Sequence, residues 1–155
     1  MRRFFTILAL LAIACNGFPM IIVSGNTVVI DRPVDEDLYL AGGTITINAP
    51  VHGDLVVAGG TIYVNDSVTR DILLAGGNVT INGYVGGKIR CAGGSLRIAK
   101  NVQGDLVIGG GTISLERDVT IFGTLLATGG SIFLYGNVKG DARAAAGQFK
   151  MYGAV

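Results

Sequence analysis

A pair of adjacent glycines recurs every 17 residues along this chain, and that spacing limits the fold more than any other feature. The pairs are Gly42-Gly43, Gly59-Gly60, Gly76-Gly77, Gly93-Gly94 and Gly110-Gly111. Gly25-Asn26 takes the same place one period upstream. Gly129-Gly130 follows downstream after a two-residue insertion, which we place near residues 120–123. A fixed period of this length is typical of a repeat architecture in which similar units stack on one another.

Alignment on this period also brings apolar residues into columns. One column holds only valine: Val34, Val51, Val68, Val85, Val102, Val119, Val138 and Val155. Within a period, apolar and polar residues alternate, as in Thr44-Ile45-Thr46-Ile47. This alternation indicates β-strands that bury one face.

Such short strands cannot bury an apolar face alone, but each can stack on its equivalent one period earlier, at the ~4.8 Å spacing of a sheet. The sequence therefore predicts an all-β fold, a right-handed three-sided β-helix (β-solenoid) of about eight 17-residue coils. The right hand is favoured because left-handed solenoids built from six-residue repeats need a period divisible by six. We assign residues 16–155 to this single domain, with the first coil beginning at Met20.

The glycine pairs are interpreted as corners between two strands. Either a positive φ or a close approach of another backbone would exclude a Cβ there. The sequence alone does not separate these two causes.

Composition and charge argue against several classes of function. Twelve Lys and Arg against eleven Asp and Glu leave a net charge near zero, so we expect no nucleic acid partner. Because the glycines are assigned to corners and not to a phosphate-binding loop, no nucleotide is expected either. No nucleophile with a base in reach stands out, and we predict a protein that is not an enzyme and uses no cofactor or metal.

The first 15 residues differ from the repeats and are interpreted as a signal peptide or membrane-targeting segment. Arg2 and Arg3 precede the apolar run Phe4–Ala14, which is too short to cross a bilayer as a helix. Cys15 follows a candidate cleavage point and is a candidate for lipidation. The alternative is an uncleaved apolar tail that attaches the protein to the inner face of a membrane. We therefore predict a membrane-associated or exported protein and leave the side of the membrane open.

The repeat units resemble those of the bactofilins, a family of polymer-forming bacterial cytoskeletal proteins. The resemblance lies in Gly53–Ile62, in copies of that unit at Asp71, Asp105 and Asp141, and in Asn82–Gly87. It covers essentially all of residues 20–155. The resemblance implies a right-handed β-helix that joins end to end into nonpolar filaments, without bound nucleotide and often at a membrane.

The two ends of a solenoid present unpaired backbone groups and an open core, so they invite contact with another chain. The sequence shows no evident cap, and we predict head-to-tail or tail-to-tail polymerisation through residues 20–34 and 141–155. A truncated product that lacks further coils or a cap is the alternative. The predicted polymer-interface residues are Met20, Ile21, Val23, Val28, Ile30, Ala142, Ala144, Phe149, Met151 and Val155.

One column should face outward yet is largely apolar, which favours a lateral filament contact or a membrane-facing strip. Its apolar members are Tyr39, Val56, Leu73, Val107 and Leu126. Ordinary surface residues of a β-rich protein are the alternative interpretation.

Three polar features are interpreted as structural. An outward column holds Asp37, Asp54, Asp71, Asp105 and Asp141. This column lacks the paired glycines of a calcium-binding nonapeptide repeat, so we predict turn formation, with Lys88 relieving charge repulsion. His52 is the only histidine, and we predict a solvated turn residue, because no Cys or acid neighbours it at the spacing of metal ligands. Cys91 should be a buried thiol without a disulfide.

These observations predict a non-enzymatic scaffold that self-assembles end to end, with its own copies as partners and a membrane bound through the N-terminal segment. The alternative is an exported or lipid-anchored monomeric β-helix that binds an envelope partner or a glycan through one flat face. The two hypotheses differ in what the coil ends do.

Overall fold

The computed structural model describes residues 19–155, and these residues form a β-solenoid without an α-helix. Its strands are β1 (Met20–Ile30), β2 (Asp37–Ile47), β3 (Leu55–Val64), β4 (Ile72–Ile81), β5 (Ile89–Ile98), β6 (Leu106–Leu115), β7 (Thr120–Ile121), β8 (Leu125–Leu134), β9 (Asn137–Val138) and β10 (Ala142–Met151). Eight strands form one sheet in the order β1-β2-β3-β4-β5-β6-β8-β10, and β7 pairs with β9. The prediction of an all-β solenoid of about eight 17-residue coils is confirmed.

Each long strand pairs in parallel with the strand one coil earlier, so equivalent residues of the repeat lie side by side. Leu38 pairs with Leu55, for example, and Ile45 pairs with Ile62. Equivalent residues of successive coils are accordingly 17 apart, as in the hydrogen-bonded Asn65 and Asn48, and the insertion raises this separation to 19 between the Thr124 N–H and the Asp105 carboxylate.

The position predicted for the insertion is wrong, and so is one member of the valine column. Val102 pairs with Ile121, not with Val119, and Ile121 pairs with Val138. The two extra residues therefore precede Ile121, in a turn where the Val119 N–H donates to the Glu116 carbonyl at 3.2 Å. Sequence alignment could not separate the two positions, because both residues are apolar, lie two apart and are buried.

The long strands change direction at the glycine pair. In β2, the buried residues are Leu38 and Leu40 before the pair and Ile45 and Ile47 after it. An odd spacing of five between Leu40 and Ile45 would place them on opposite faces of a flat strand. Both can point inward only because the chain turns a corner between them. The isolated bridges of the valine column add a third parallel ladder to each coil.

Close approach of backbone, and not a left-handed conformation, explains the glycine pairs. No glycine within residues 19–155 has φ in the left-handed range. A Cβ on Gly59 would lie 2.6 Å from the Gly42 carbonyl oxygen, and one on Gly76 would lie 2.7 Å from the Gly59 oxygen. The carbonyl of the preceding coil thus occupies the space that a side chain would need.

The core is a set of continuous apolar columns that run the length of the solenoid. One coil contributes several fully buried side chains to these columns, among them Leu55, Ile62, Val64 and Val68. No polar or charged side chain is buried among the described residues. Burying each aliphatic side chain contributes about 1.5–3 kcal/mol, so stacking of coils is the main source of stability.

Candidate functional site

The two edges of the eight-stranded sheet are β1 and β10, and they coincide with the two ends of the solenoid. Each has a neighbouring strand on one side only among the described residues: β1 pairs with β2, and β10 pairs with β8. The outer backbone groups of both strands are therefore available to another strand. We refer to the β1 end as the leading end and to the β10 end as the trailing end.

The trailing end exposes apolar side chains that belong to buried columns. Phe149 is 44% exposed and Met151 is 43% exposed, whereas their column neighbours Ile132 and Leu134 are 0% and 1% exposed. Ala142, Ala144 and Val155 of the predicted interface are exposed as well.

The leading end is partly closed by its own residues. Ile21 is exposed, while Met20, Val23 and Ile30 are half-buried, and Val23 and Ile30 pack against the core. Val28 is 4% exposed, so its own chain already covers it. Of the residues predicted for this end, Ile21 offers the most free apolar surface, and the polymer contact itself stays a prediction.

The aspartate column accepts hydrogen bonds from the backbone of the following coil. The Asp54 N–H donates to the Asp37 Oδ1 at 2.8 Å, and the Lys88 N–H donates to the Asp71 Oδ1 at 2.8 Å. The carboxylates therefore tie one coil to the next. Within residues 19–155, no group of three or more His, Cys, Asp and Glu side chains has the arrangement of a metal site.

Asp105 shows how neighbouring groups stabilise the charged form of a carboxylate in this column. The Thr124 N–H donates to the Asp105 Oδ1 at 2.9 Å, and the Lys88 ammonium lies 3.4 Å from the Oδ2. The backbone hydrogen bond, assisted by Lys88, lowers the pKa of Asp105 below its usual value of 3.8.

A ladder of hydrogen-bonded polar side chains, which was not predicted from the sequence, follows strands β1 to β4. Asn48 donates to Asp31 at 3.1 Å, Asn65 donates to Asn48 at 2.9 Å, and Asn82 donates to Asn65 at 3.0 Å. A shared column of Asp and Asn at 17-residue spacing is the signal that could have found it. The same column ends in Tyr135 and Tyr152, whose rings stack with centroids 4.9 Å apart.

Opposite charges also meet across adjacent coils. The Arg97 Nε donates to the Glu116 Oε1 at 2.8 Å, with both side chains partly exposed. His52 is exposed, and its Nδ1 lies 2.6 Å from the Oδ1 of Asp35, which occupies the same position one coil earlier. This pairing was not predicted, because only the stacking of coils brings the two residues together.

The outward apolar column runs along one face of the sheet. Leu73 is 52% exposed, Val107 and Leu126 are similarly exposed, and Tyr39 and Val56 are half-buried. A neighbouring column consists mainly of alanine and includes Ala58 and Ala92. A shallow apolar depression lies here, lined by residues that include Leu73, Ala92 and Val107. Arg90 interrupts the apolar column. The lateral contact predicted for this face stays a prediction.

Cys91 lies in the buried column and has no disulfide partner in the described chain. Burial raises the pKa of its thiol to about 12.

Residues 1–15, including Cys15, lie outside the described residues. From residue 19 onward, no helix is long and apolar enough to cross a membrane.

Comparison with protein-family models, with curated proteins and with solved structures finds no match for this chain.

Proposed function

We propose that this protein is a non-enzymatic structural scaffold that self-assembles end to end into filaments. The observation that carries the proposal is the exposure of Phe149 and Met151, which stand in columns that are buried in every inner coil. Another coil stacked on β10 would cover these side chains in the same way that β10 covers β8.

The backbone supports the same proposal. A strand at the edge of a parallel sheet presents a row of unpaired N–H and C=O groups, which is a template for a further strand. Because β1 and β10 are both such edges within residues 19–155, this part of the chain offers two sites for stacking. Two sites per molecule are the minimum that a linear polymer needs.

A membrane or the cell envelope is the proposed place of assembly. The support for this location is the sequence of residues 1–15, with its basic start, apolar run and Cys15. The resemblance to bactofilins supports both the polymer and its association with a membrane.

The test compares two phenylalanines with nearly equal exposure. Phe149 lies at the trailing end and is 44% exposed, while Phe122 lies on the flank of an inner coil and is 45% exposed. We expect the full-length protein and its Phe122→Asp variant to form filaments in negative-stain electron microscopy. Phe149→Asp should raise the concentration needed for filaments by more than about a hundredfold, because a carboxylate would be buried at the junction.

Two results would contradict the proposal. Filament formation by Phe149→Asp at wild-type concentrations would remove the trailing end from the contact. Monodisperse short rods of the wild-type protein under all conditions would show that the chain does not polymerise.

A second candidate function is a monomeric module that binds an envelope partner or a glycan. The flat apolar face around Leu73 and Val107 favours it, since an exposed apolar patch of this kind often marks an interaction site. Charged substitutions on that face, such as Leu73→Asp, should then abolish partner binding, while Phe149→Asp leaves it intact.

A further inference from the structure

We propose that the outward apolar column lies against a lipid bilayer, so that the solenoid rests lengthwise on the membrane surface. This inference rests on the membrane location proposed above and specifies which face of the solenoid makes the contact. Three features of the column support it: its exposed length, its two arginines, and its position next to the N-terminal segment.

The first feature is the exposed length of the column. Ile22 extends the column into β1, because it pairs with Tyr39. Ile22, Leu73, Val107 and Leu126 are between 38% and 52% exposed. Six coil steps separate Ile22 from Leu126, which corresponds to about 29 Å along the solenoid. Because binding to a bilayer interface increases with the apolar area that it buries, contact along the whole column is favoured over contact at one point.

The second feature is the pair of arginines within the column. Arg90 lies between Leu73 and Val107, and both Arg90 and Arg143 are exposed. Neither arginine forms an ion pair within residues 19–155. The column contains no acid, so two copies packed column to column would bury these guanidinium groups without an acidic partner from it.

A lipid surface supplies the missing partner. Phosphate is an acceptor that arginine binds through two parallel hydrogen bonds. The apolar part of an arginine side chain can lie among apolar neighbours while its charged end reaches the head groups. The arginines therefore favour a bilayer over a second copy of the chain as the occupant of this face.

The edge of the same face carries both signs of charge. The aspartate column lies two residues before the outward apolar column in each coil. The Arg70 Nε lies 3.5 Å from the Asp54 Oδ1, and the Lys88 Nζ lies 3.4 Å from the Asp105 Oδ2. Phosphatidylethanolamine head groups also carry one charge of each sign, so they complement this edge. We therefore expect a zwitterionic bilayer to be sufficient.

The third feature is the point where the N-terminal segment joins the solenoid. β1 begins at Met20, and Ile22 follows Cys15 by seven residues. A lipid on Cys15, or contact of Phe4–Ala14 with the bilayer, would hold Ile22 within about 25 Å of the membrane, since seven extended residues reach no further. One end of the column is thus tethered to the surface that the whole column is proposed to contact.

A fluorescent label that responds to its surroundings tests the contact. Leu73→Cys and Leu126→Cys, each in the full-length Cys15→Ser protein, allow a nitrobenzoxadiazole label to be placed on the column. Cys91 is buried and should stay unlabelled. On addition of vesicles of phosphatidylcholine and phosphatidylethanolamine, we expect the emission of both labels to shift to shorter wavelength, because both enter a less polar environment.

Phe122→Cys is the matched control. Phe122 is 45% exposed, close to the 48% of Leu126, but it follows β7 and lies outside the eight-stranded sheet. Its label should not shift when vesicles are added. A shift at only one of positions 73 and 126 would contradict lengthwise contact. A shift of the label at position 73 on assembly without vesicles would show that a second copy covers the column, and it would overturn the proposal.

Sedimentation with the same vesicles separates this inference from the membrane location. Leu73→Asp should lower the partition coefficient of the full-length protein about tenfold, because a carboxylate replaces an apolar side chain at the bilayer surface. Phe122→Asp should stay within about twofold of wild type. Unchanged binding of Leu73→Asp would overturn the proposal and keep the N-terminal segment as the membrane contact. Failure of the wild-type protein to bind vesicles would overturn the membrane location as well, without affecting filament formation.

Discussion

The strands β8 and β10 occupy equivalent positions in successive coils, but their inward side chains differ in burial. In β8, Leu125, Ala127, Ile132 and Leu134 are buried, whereas β10, one coil later, is exposed at nearly every position. The difference arises because β8 has a coil on both sides, while β10 has one on a single side among the described residues. Burial in this fold is therefore set by the neighbouring coil more than by the strand's own sequence.

The difference in burial between β8 and β10 bears on the proposed assembly. A buried column that continues to an exposed end is a surface that favours another copy of the same coil. The inner coils also show which contacts such a copy should make. Comparisons of equivalent residues in inner and outer coils therefore test the fold and the proposed assembly together.

The largest expected difference is in thiol reactivity between two positions of one column. Cys91 is buried in β5, and Ala144 occupies the equivalent exposed position in β10. At pH 8, a thiol whose pKa is about 12 has a roughly thousandfold smaller thiolate fraction than one with an ordinary pKa near 9. In the Cys15→Ser background, Ala144→Cys should thus react with a thiol reagent at least ~1000 times faster than Cys91.

Conditions of assembly and unfolding sharpen this test. Assembly should protect the introduced thiol at position 144, and unfolding in guanidinium chloride should make both thiols react at similar rates. Rapid labelling of Cys91 in the native protein would contradict the burial of the inner column.

The next largest effect is on stability. Leu134 and Met151 share a column, but Leu134 is 1% exposed and Met151 is 43% exposed. Leu134→Ala should lower the free energy of unfolding by about 2–5 kcal/mol, because it leaves a cavity between coils. Met151→Ala should lower it by less than about 1 kcal/mol in the unassembled protein. Denaturant unfolding at a concentration below that of assembly measures both, and equal costs would mean that β10 is covered.

Much of the fold could be predicted from sequence, because a strict period shows which residues lie side by side in successive coils. Once Gly42, Gly59 and Gly76 align, the inward positions follow from strand alternation without further information. The insertion was misplaced because Val119 and Ile121 satisfy the same apolar pattern, and only backbone pairing separates them.

The candidate site was less predictable, since its contacts join residues of different coils. The exposed end residues followed from the period, but the pairing of His52 with Asp35 did not, because the two residues are 17 apart and meet only when the coils stack. Side-chain length and direction decide such contacts, and the period of the sequence contains no information about either.

The smallest effect concerns two glycines of one column. A Cβ on Gly59 would lie 2.6 Å from the Gly42 carbonyl oxygen, whereas the nearest described atom to a Cβ on Gly25 is the Thr27 oxygen at 3.6 Å. Gly59→Ala should therefore lower the free energy of unfolding by about 1–3 kcal/mol. Gly25→Ala should leave it unchanged or raise it by about 0.4–1 kcal/mol, because alanine restricts the unfolded chain.

Denaturant unfolding of the two variants, at a concentration below that of assembly, measures this difference. Equal costs at positions 25 and 59 would mean that another coil covers β1, because only a neighbouring carbonyl makes a Cβ collide in this column.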